Sequence, residues 1–134
     1  MSRQTLPARI LVVEDEADIR DLLQIVLTAQ GYEVATAENG RDGLDQLGRF
    51  APDLVLLDLA MPELDGMGFL KGKSKLFDRR DVPVIVLSAR DKNGDVMRAM
   101  EMGADNYITK PFDTELVLAS IERLLAATRD ATGR

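Results

Sequence analysis

Five side chains able to do chemistry stand at the ends of apolar runs. The stretch Leu54-Val55-Leu56-Leu57 stops at Asp58, Ile10-Leu11-Val12-Val13 stops at Glu14-Asp15, and two later runs finish at Ser88 and Lys110. A carboxylate at the end of a buried strand is costly to desolvate unless something compensates it. Three of them gathered in one place repel one another unless a cation sits among them. Hard oxygen ligands with an open position suit Mg2+, which keeps waters and takes up phosphate oxygens. Asp15 and Asp58 are the favoured direct ligands. With a hydroxyl and an amine beside them, the set is that of a phosphate-handling site.

These residues lie far apart in sequence, so the elements between them must bring them together. Residues 9–13 read as a strand buried on both faces, because the run is continuous and β-branched rather than alternating. Ile19, Leu22, Leu23, Ile25, Val26 and Leu27 recur at helical spacing, and Gly31 supplies a left-handed stop. A less hydrophobic strand follows over 32–37, then a short helix containing residues 43–47, then a buried strand over 54–57. The pattern predicts a third helix from about 66 to 77. Nothing in the sequence explains Gly72 in its interior, where glycine costs about 1 kcal/mol against alanine. A strand over 82–87 carries Pro83 at its beginning, where a missing ladder donor matters least. A helix over 96–102 ends at Gly103, a short strand covers 106–109, and a last helix runs from about 113 to 128 with Asp113 as its N-cap.

Strand and helix thus alternate five times, which makes the fold class α/β: a parallel sheet covered on both faces by right-handed crossovers. Such sheets bind ligands beyond the carboxyl ends of their strands, near the point where strand order reverses. Glu14, Asp15, Asp58, Ser88 and Lys110 all fall at that edge. Taken singly, an acid there is usually a helix cap, and Asp15 or Asp18 could cap the first helix. A lone serine is more often a turn hydroxyl and a lone lysine a surface amine. Their joint placement at four strand ends is what points to a site.

Composition narrows the chemistry. The 134 residues, 46% hydrophobic and 30% charged, fit one domain, and no second domain is expected. The formal charge of −6, from 17 Lys+Arg against 23 Asp+Glu, repels polyanions, so no direct nucleic-acid partner is expected. There is no cysteine, which excludes disulfides and thiolate chemistry. There is no histidine, so the chain cannot build an imidazole base or donate a phosphoryl group from phosphohistidine. No apolar run approaches the ~20 residues of a membrane span. No membrane partner is expected, and a cytoplasmic location is the default.

Four motifs carry a resemblance: Val12-Val13-Glu14-Asp15-Glu16, Leu56-Leu57-Asp58-Leu59-Ala60-Met61-Pro62-Glu63-Leu64-Asp65-Gly66, Val86-Leu87-Ser88-Ala89-Arg90, and Gly103-Ala104-Asp105-Asn106-Tyr107-Ile108-Thr109-Lys110-Pro111-Phe112. In this order and spacing the chain resembles the receiver domain of two-component response regulators. The resemblance implies a flavodoxin-like (βα)5 sheet of strand order 2-1-3-4-5, with a leader at 1–8, the receiver domain at 9–128 and a tail at 129–134. It implies that Asp58 is the phosphoacceptor, taking a phosphoryl group from a histidine kinase or histidine phosphotransfer protein. By the same resemblance Asp15 binds Mg2+ directly, Glu14 does so through water, and Ala60 offers its backbone carbonyl. Lys110 matches the phosphate-binding amine, Ser88 the switch hydroxyl and Tyr107 the aromatic switch, and the Lys110-Pro111 bond is expected to be cis. The implied partners are such a donor and a downstream effector protein or domain, with a phosphorylation-dependent homodimer open. The resemblance further implies a chain that catalyses only its own phosphorylation and dephosphorylation and is otherwise not an enzyme.

Physical roles agree with that reading. Phosphoryl transfer spreads charge over three oxygens, so catalysis is largely positioning and neutralisation. A phosphoryl group on Asp58 would draw the Ser88 hydroxyl inward and vacate space for Tyr107. Val96 and Met100, one helical turn apart, are expected to flank Tyr107 on a face that partners read. The basic group Lys71, Lys73, Lys75, Arg79 and Arg80 is most simply a solvated face. A hydrolase of the aspartyl-phosphate type is the rival from another class. It needs a second aspartate two residues after the nucleophile, where this chain has Ala60. A phosphorylation-independent interaction domain is a second rival, disfavoured because acceptor, acidic pair and lysine are all present. Flavin binding is a third, disfavoured because the loop after the first strand is acidic where a cofactor phosphate needs donors.

Overall fold

A computed structural model describes residues 6–59, 65–89 and 93–131. The elements alternate as β1 (Arg9–Val13), α1 (Ala17–Ala29), β2 (Glu33–Ala37), α2 (Gly40–Phe50), β3 (Leu54–Leu57), α3 (Gly66–Ser74), β4 (Val84–Ser88), α4 (Asn93–Glu101), β5 (Asn106–Thr109) and α5 (Thr114–Ala131). All four strand pairings are parallel, in the order β2-β1-β3-β4-β5. This is the expected flavodoxin-like arrangement. The three central strands are the ones written as unbroken apolar runs, because both of their faces are covered. The edge strands β2 and β5 are mixed and half-exposed.

Side chains alternate across the sheet and divide the core in two. On one face Leu11, Val13, Val55 and Leu57 pack with Leu47 of α2 and Phe69 and Leu70 of α3. On the other, Ile10, Val12, Leu54 and Leu56 pack with Leu23 and Leu27 of α1 and Ile121 and Leu125 of α5. Strand order reverses between β1 and β3, which pair directly with each other. The carboxyl ends of these two strands therefore border the topological crevice.

Local signals are met at several ends. Gly31 takes φ 96° after α1, and the backbone N–H groups of Gly31 and Tyr32 donate to Thr28 and Leu27. Asn39 and Asp65 cap α2 and α3 by accepting from the N–H groups of Asp42 and Gly68. The Asp113 carboxylate accepts from Glu115 N–H before α5. Other boundaries move. Helix α3 ends at Ser74 rather than near 77, and the chain then passes through turns in which Leu76 N–H donates to Lys73 and Arg79 N–H to Leu76. Strand β4 begins after Pro83, whose carbonyl accepts from Val55 N–H. Helix α4 spans Asn93–Glu101 instead of 96–102, and α5 continues to Ala131 instead of stopping at 128. Neither Asp15 nor Asp18 caps α1: Glu16 holds the N-cap position and makes no side-chain cap bond.

Two glycines are explained by close approach. A Cβ on Gly72 would lie 2.7 Å from Leu44 Cδ1, so the missing side chain lets α3 sit against α2. A Cβ on Gly66 would lie 2.6 Å from Leu59 Cα and 2.7 Å from the Asp58 carbonyl oxygen, both of them backbone. Gly66 thus allows the start of α3 to lie on the chain that follows β3.

The basic stretch is not a uniformly solvated face. Lys73 is 4% exposed and donates to the Arg80 carbonyl at 2.6 Å, and Arg79 Nε donates to the Leu47 carbonyl at 3.0 Å. Lys71, Lys75 and Arg80 are exposed as expected. Two cations are therefore spent on pinning the α3–β4 turn. Burial pulls the Lys73 amine below its ordinary 10.5, against the opposing charges of Asp105 and Asp81.

Gly66→Ala is expected to destabilise the fold by about 2 kcal/mol, since backbone on both sides cannot yield. Gly48→Ala in α2, where a Cβ meets nothing within 4 Å, is expected to stabilise by about 0.5–1 kcal/mol. Urea unfolding of both variants checks the contrast. For Lys73 the folded state binds its proton less tightly than the unfolded chain. Wild-type stability should therefore gain from this group as pH rises from the lowered folded value toward 10.5. Lys73→Met should lack that gain, so the stability difference between the two proteins, measured by urea titration, should shift in favour of wild type across the alkaline range.

Candidate functional site

The carboxyl ends of β1, β3, β4 and β5 deliver the site. Backbone bonds register these ends before any side chain is considered: Asp58 N–H donates to Val13, Glu14 N–H to Ala37 and Lys110 N–H to Ser88, at 2.9, 2.9 and 3.0 Å. Glu14 and Asp58 are buried, at 2% and 4% exposure, and Asp15 is half-buried. One oxygen from each of Glu14, Asp15 and Asp58 falls within 4.8 Å of the others.

Lys110 reaches into this cluster from the end of β5. Its Nζ lies 2.8 Å from Glu14 Oε1, 3.3 Å from Glu16 Oε1 and 3.7 Å from Asp58 Oδ2. Burial alone would lower its pKa. The hydrogen bond to Glu14, the charges of Asp58 and Glu14 and the bond to Glu16 outweigh that, so the amine is held above 10.5. The folded state thus binds the proton more tightly than the unfolded chain. The stabilisation from this pairing is complete below pH 10.5 and is lost only as pH rises through the raised folded value.

One ammonium cannot neutralise this cluster. Among the described residues the Asp15 carboxylate makes no hydrogen bond or ion pair, while its carbonyl accepts from Arg20. Three oxygen donors, a surplus of negative charge and an open carboxylate fit a hard divalent cation such as Mg2+. The expected Ala60 carbonyl lies outside the described residues, as does Arg90. Ser88 is fully buried as the last residue of β4, opposite Thr109. The Lys110-Pro111 bond is cis.

Tyr107 is half-buried on the α2/α3/α4 side of the sheet, packed against the cluster that includes Val86 and Ala99. In α4, Met97 and Met100 are 62% and 43% exposed, Val96 is half-buried, and Met102 just after the helix packs against the core. Two surface hollows lie at the opposite end of the sheet, lined by Leu6, Pro7, Ala8 and Leu125 among others.

Sequence reasoning missed two participants. Glu16 meets Lys110, and the Arg20 guanidinium donates through Nη1 to the carbonyls of Glu14 at 2.9 Å and Asp15 at 3.3 Å. The one available signal was position: both lie within the first turns after the acidic pair.

Comparison with known proteins follows the same lines. The response regulator receiver domain model matches residues 10–122. The phosphate regulon transcriptional regulatory protein PhoB of Escherichia coli is 42% identical over 117 residues, 87% of this chain and 51% of PhoB. The response regulator MprA of Mycolicibacterium vanbaalenii is 39% identical over 128 residues, 96% of this chain and 54% of MprA. The chain thus spans about half the length of these curated relatives. Among solved structures, a CheY-like response regulator receiver domain protein from Methanospirillum hungatei superposes with a TM-score of 0.88 at 28% identity, covering 93% of this chain and 98% of that one. The signal receiver domain of a signal transduction histidine kinase from Syntrophus aciditrophicus gives 0.82 at 35% identity, covering 90% and 91%. Among the described residues no helix is long and apolar enough to cross a membrane.

Lys110→Met should leave the buried Glu14 carboxylate without its cation, at a cost of about 3 kcal/mol at pH 7 in metal-free buffer. Chemical denaturation of both proteins at that pH checks the size.

Proposed function

The chain belongs to the response regulator receiver domain family, and from that premise we propose that Asp58 accepts a phosphoryl group from a phosphohistidine on a sensor kinase or histidine phosphotransfer protein. The observation that carries this reading is the buried Asp58 carboxylate at the end of β3, 3.7 Å from the Lys110 amine and clustered with Glu14 and Asp15. A buried carboxylate in that company serves no packing purpose.

In this reading an Asp58 oxygen attacks phosphorus. The new O–P bond forms as the P–N bond to the donor histidine breaks, and the imidazole keeps the electron pair. Asp15 and Asp58 would hold Mg2+ directly, Glu14 through water, with the Ala60 carbonyl a further ligand, and there the ion would supply neutralisation of phosphoryl oxygen charge. Lys110 turns from the carboxylates toward a second oxygen, and the Ser88 hydroxyl donates to a third. Ala89 is small and leaves the entrance open.

Phosphorylation converts a single charge into about two and adds strong acceptors. Ser88 moves toward the phosphoryl group, and Tyr107, packed on the α4 side, shifts into the space released. The phosphoryl group then biases two packings of the Ser88–Tyr107 region by its differential contacts. Val96 and Met100 lie on the surface read by a downstream effector protein or domain. The relatives that the chain half-covers include one named a transcriptional regulatory protein. An effector is therefore the reader of this switch, with the receiver itself making no contact to nucleic acid. Residues 9–128 are the receiver unit, working in the cytoplasm. No turnover of another molecule is expected, since Ala60 stands where an acid/base aspartate would be needed.

Incubation with acetyl phosphate and Mg2+ should raise the intact mass of wild type by one phosphoryl group, and Asp58→Asn should stay unmodified. No modification of wild type would overturn the reading. Ala60 and Arg90 carry no carboxamide or carboxylate to position water, so the phosphorylated form should persist for minutes or longer. A lifetime of seconds with Mg2+ present would contradict that assignment.

A further inference from the structure

Helix α1 begins without a side-chain cap. Glu16 stands at its N-cap position with extended backbone and makes no cap bond, its carboxylate being turned to Lys110 instead. Uncapped helix starts fray, and the residues just before this one are the acidic pair. Something else must hold them.

That tether is Arg20. Its backbone N–H donates to Glu16 at 2.9 Å, closing the first turn, and its Nη1 donates back to the carbonyls of Glu14 and Asp15. The two acids differ in how much else fixes them. Glu14 is held four ways: its N–H on Ala37, its Oε1 on Lys110, its Oε2 on Glu16 N–H and its carbonyl on Arg20. For Asp15, among the described residues, the side chain is open and the hydrogen bond to its carbonyl comes from Arg20.

We propose that Arg20 is a positioning residue for the metal site: by binding the Glu14 and Asp15 carbonyls it fixes the β1–α1 turn and so aims the Asp15 carboxylate at the cation. The inference rests on the metal reading of the acidic cluster given above. A free carboxylate on a fixed backbone binds an ion without first losing the freedom of the turn. A guanidinium suits the task because it is always charged, is weakly hydrated and donates from fixed positions. It also carries a positive charge near the site, which opposes cation binding, and salt separates the two effects. At 0.5 M the Debye length is of the order of 4–5 Å, so charge repulsion is largely screened while the tether remains.

The test is Mg2+ titration of wild type, Arg20→Met, Arg20→Lys and Asp15→Asn in 0.5 M NaCl by calorimetry, with urea stability measured alongside. Arg20→Met is expected to weaken Mg2+ binding about 3- to 10-fold, which is about 0.7–1.4 kcal/mol, and Arg20→Lys, which keeps a charged donor, should recover most of it. A core variant of equal stability loss, Ile121→Val in α5, should bind as wild type does. Equal or tighter Mg2+ binding by Arg20→Met would overturn the proposal, as would an equal loss in the core variant. If wild type binds no Mg2+, or Asp15→Asn binds as well as wild type, it is the metal reading itself that fails.

Discussion

The constraint on which the rest of this structure depends is the burial of two carboxylates, Glu14 and Asp58, beside a third with one ammonium among them. Charges removed from water need either partners or a ligand. Lys110 partners Glu14 most closely, shares itself with exposed Glu16 and stands farther from Asp58. The acceptor candidate is thus the farthest of these three carboxylates from the Lys110 amine. Among the described residues the site holds more negative than positive charge, a balance that favours a hard cation.

Holding like charges together requires a rigid frame, and the parallel sheet is that frame. Its central strands are buried on both faces, so their ends have little freedom, and the bonds from Asp58 to Val13 and from Lys110 to Ser88 register neighbouring ends to each other. The reversal of strand order between β1 and β3 leaves the edge beyond them uncovered by a crossover. Helix starts are then brought close to that edge. Gly66 lets α3 begin against the Asp58–Leu59 backbone, and Gly72 lets the same helix lie on Leu44 of α2. The glycine that had no reason in the sequence has a steric one in the fold.

Away from the site, the same electrostatic logic is used structurally. Lys73 and Arg79 give their hydrogen bonds to main-chain carbonyls of Arg80 and Leu47, stabilising a turn at the far end of α3. Arg20 does likewise beside the acidic pair. Cations that look interchangeable along the chain are therefore divided between solvent, backbone and carboxylates according to what each can reach.

The sequence by itself determined the alternation of elements, the parallel α/β class and the gathering of Glu14, Asp15, Asp58, Ser88 and Lys110 at one edge. It could do so because unbroken apolar runs require burial on both faces, and parallel strands put all their carboxyl ends on one side. Helix ends were less legible: α3 stops three residues early where the turn held by Lys73 on Arg80 and by Arg79 on Leu47 competes with further helix, and the second of these contacts joins residues 32 positions apart. Only the tertiary structure decided that Lys73 is buried and not solvated, that Glu16 faces Lys110 across 94 positions, and that Arg20 turns back onto the acidic pair. Periodicity records which face of an element is covered. It does not record which polar atom a long, flexible side chain will meet once the strands are side by side.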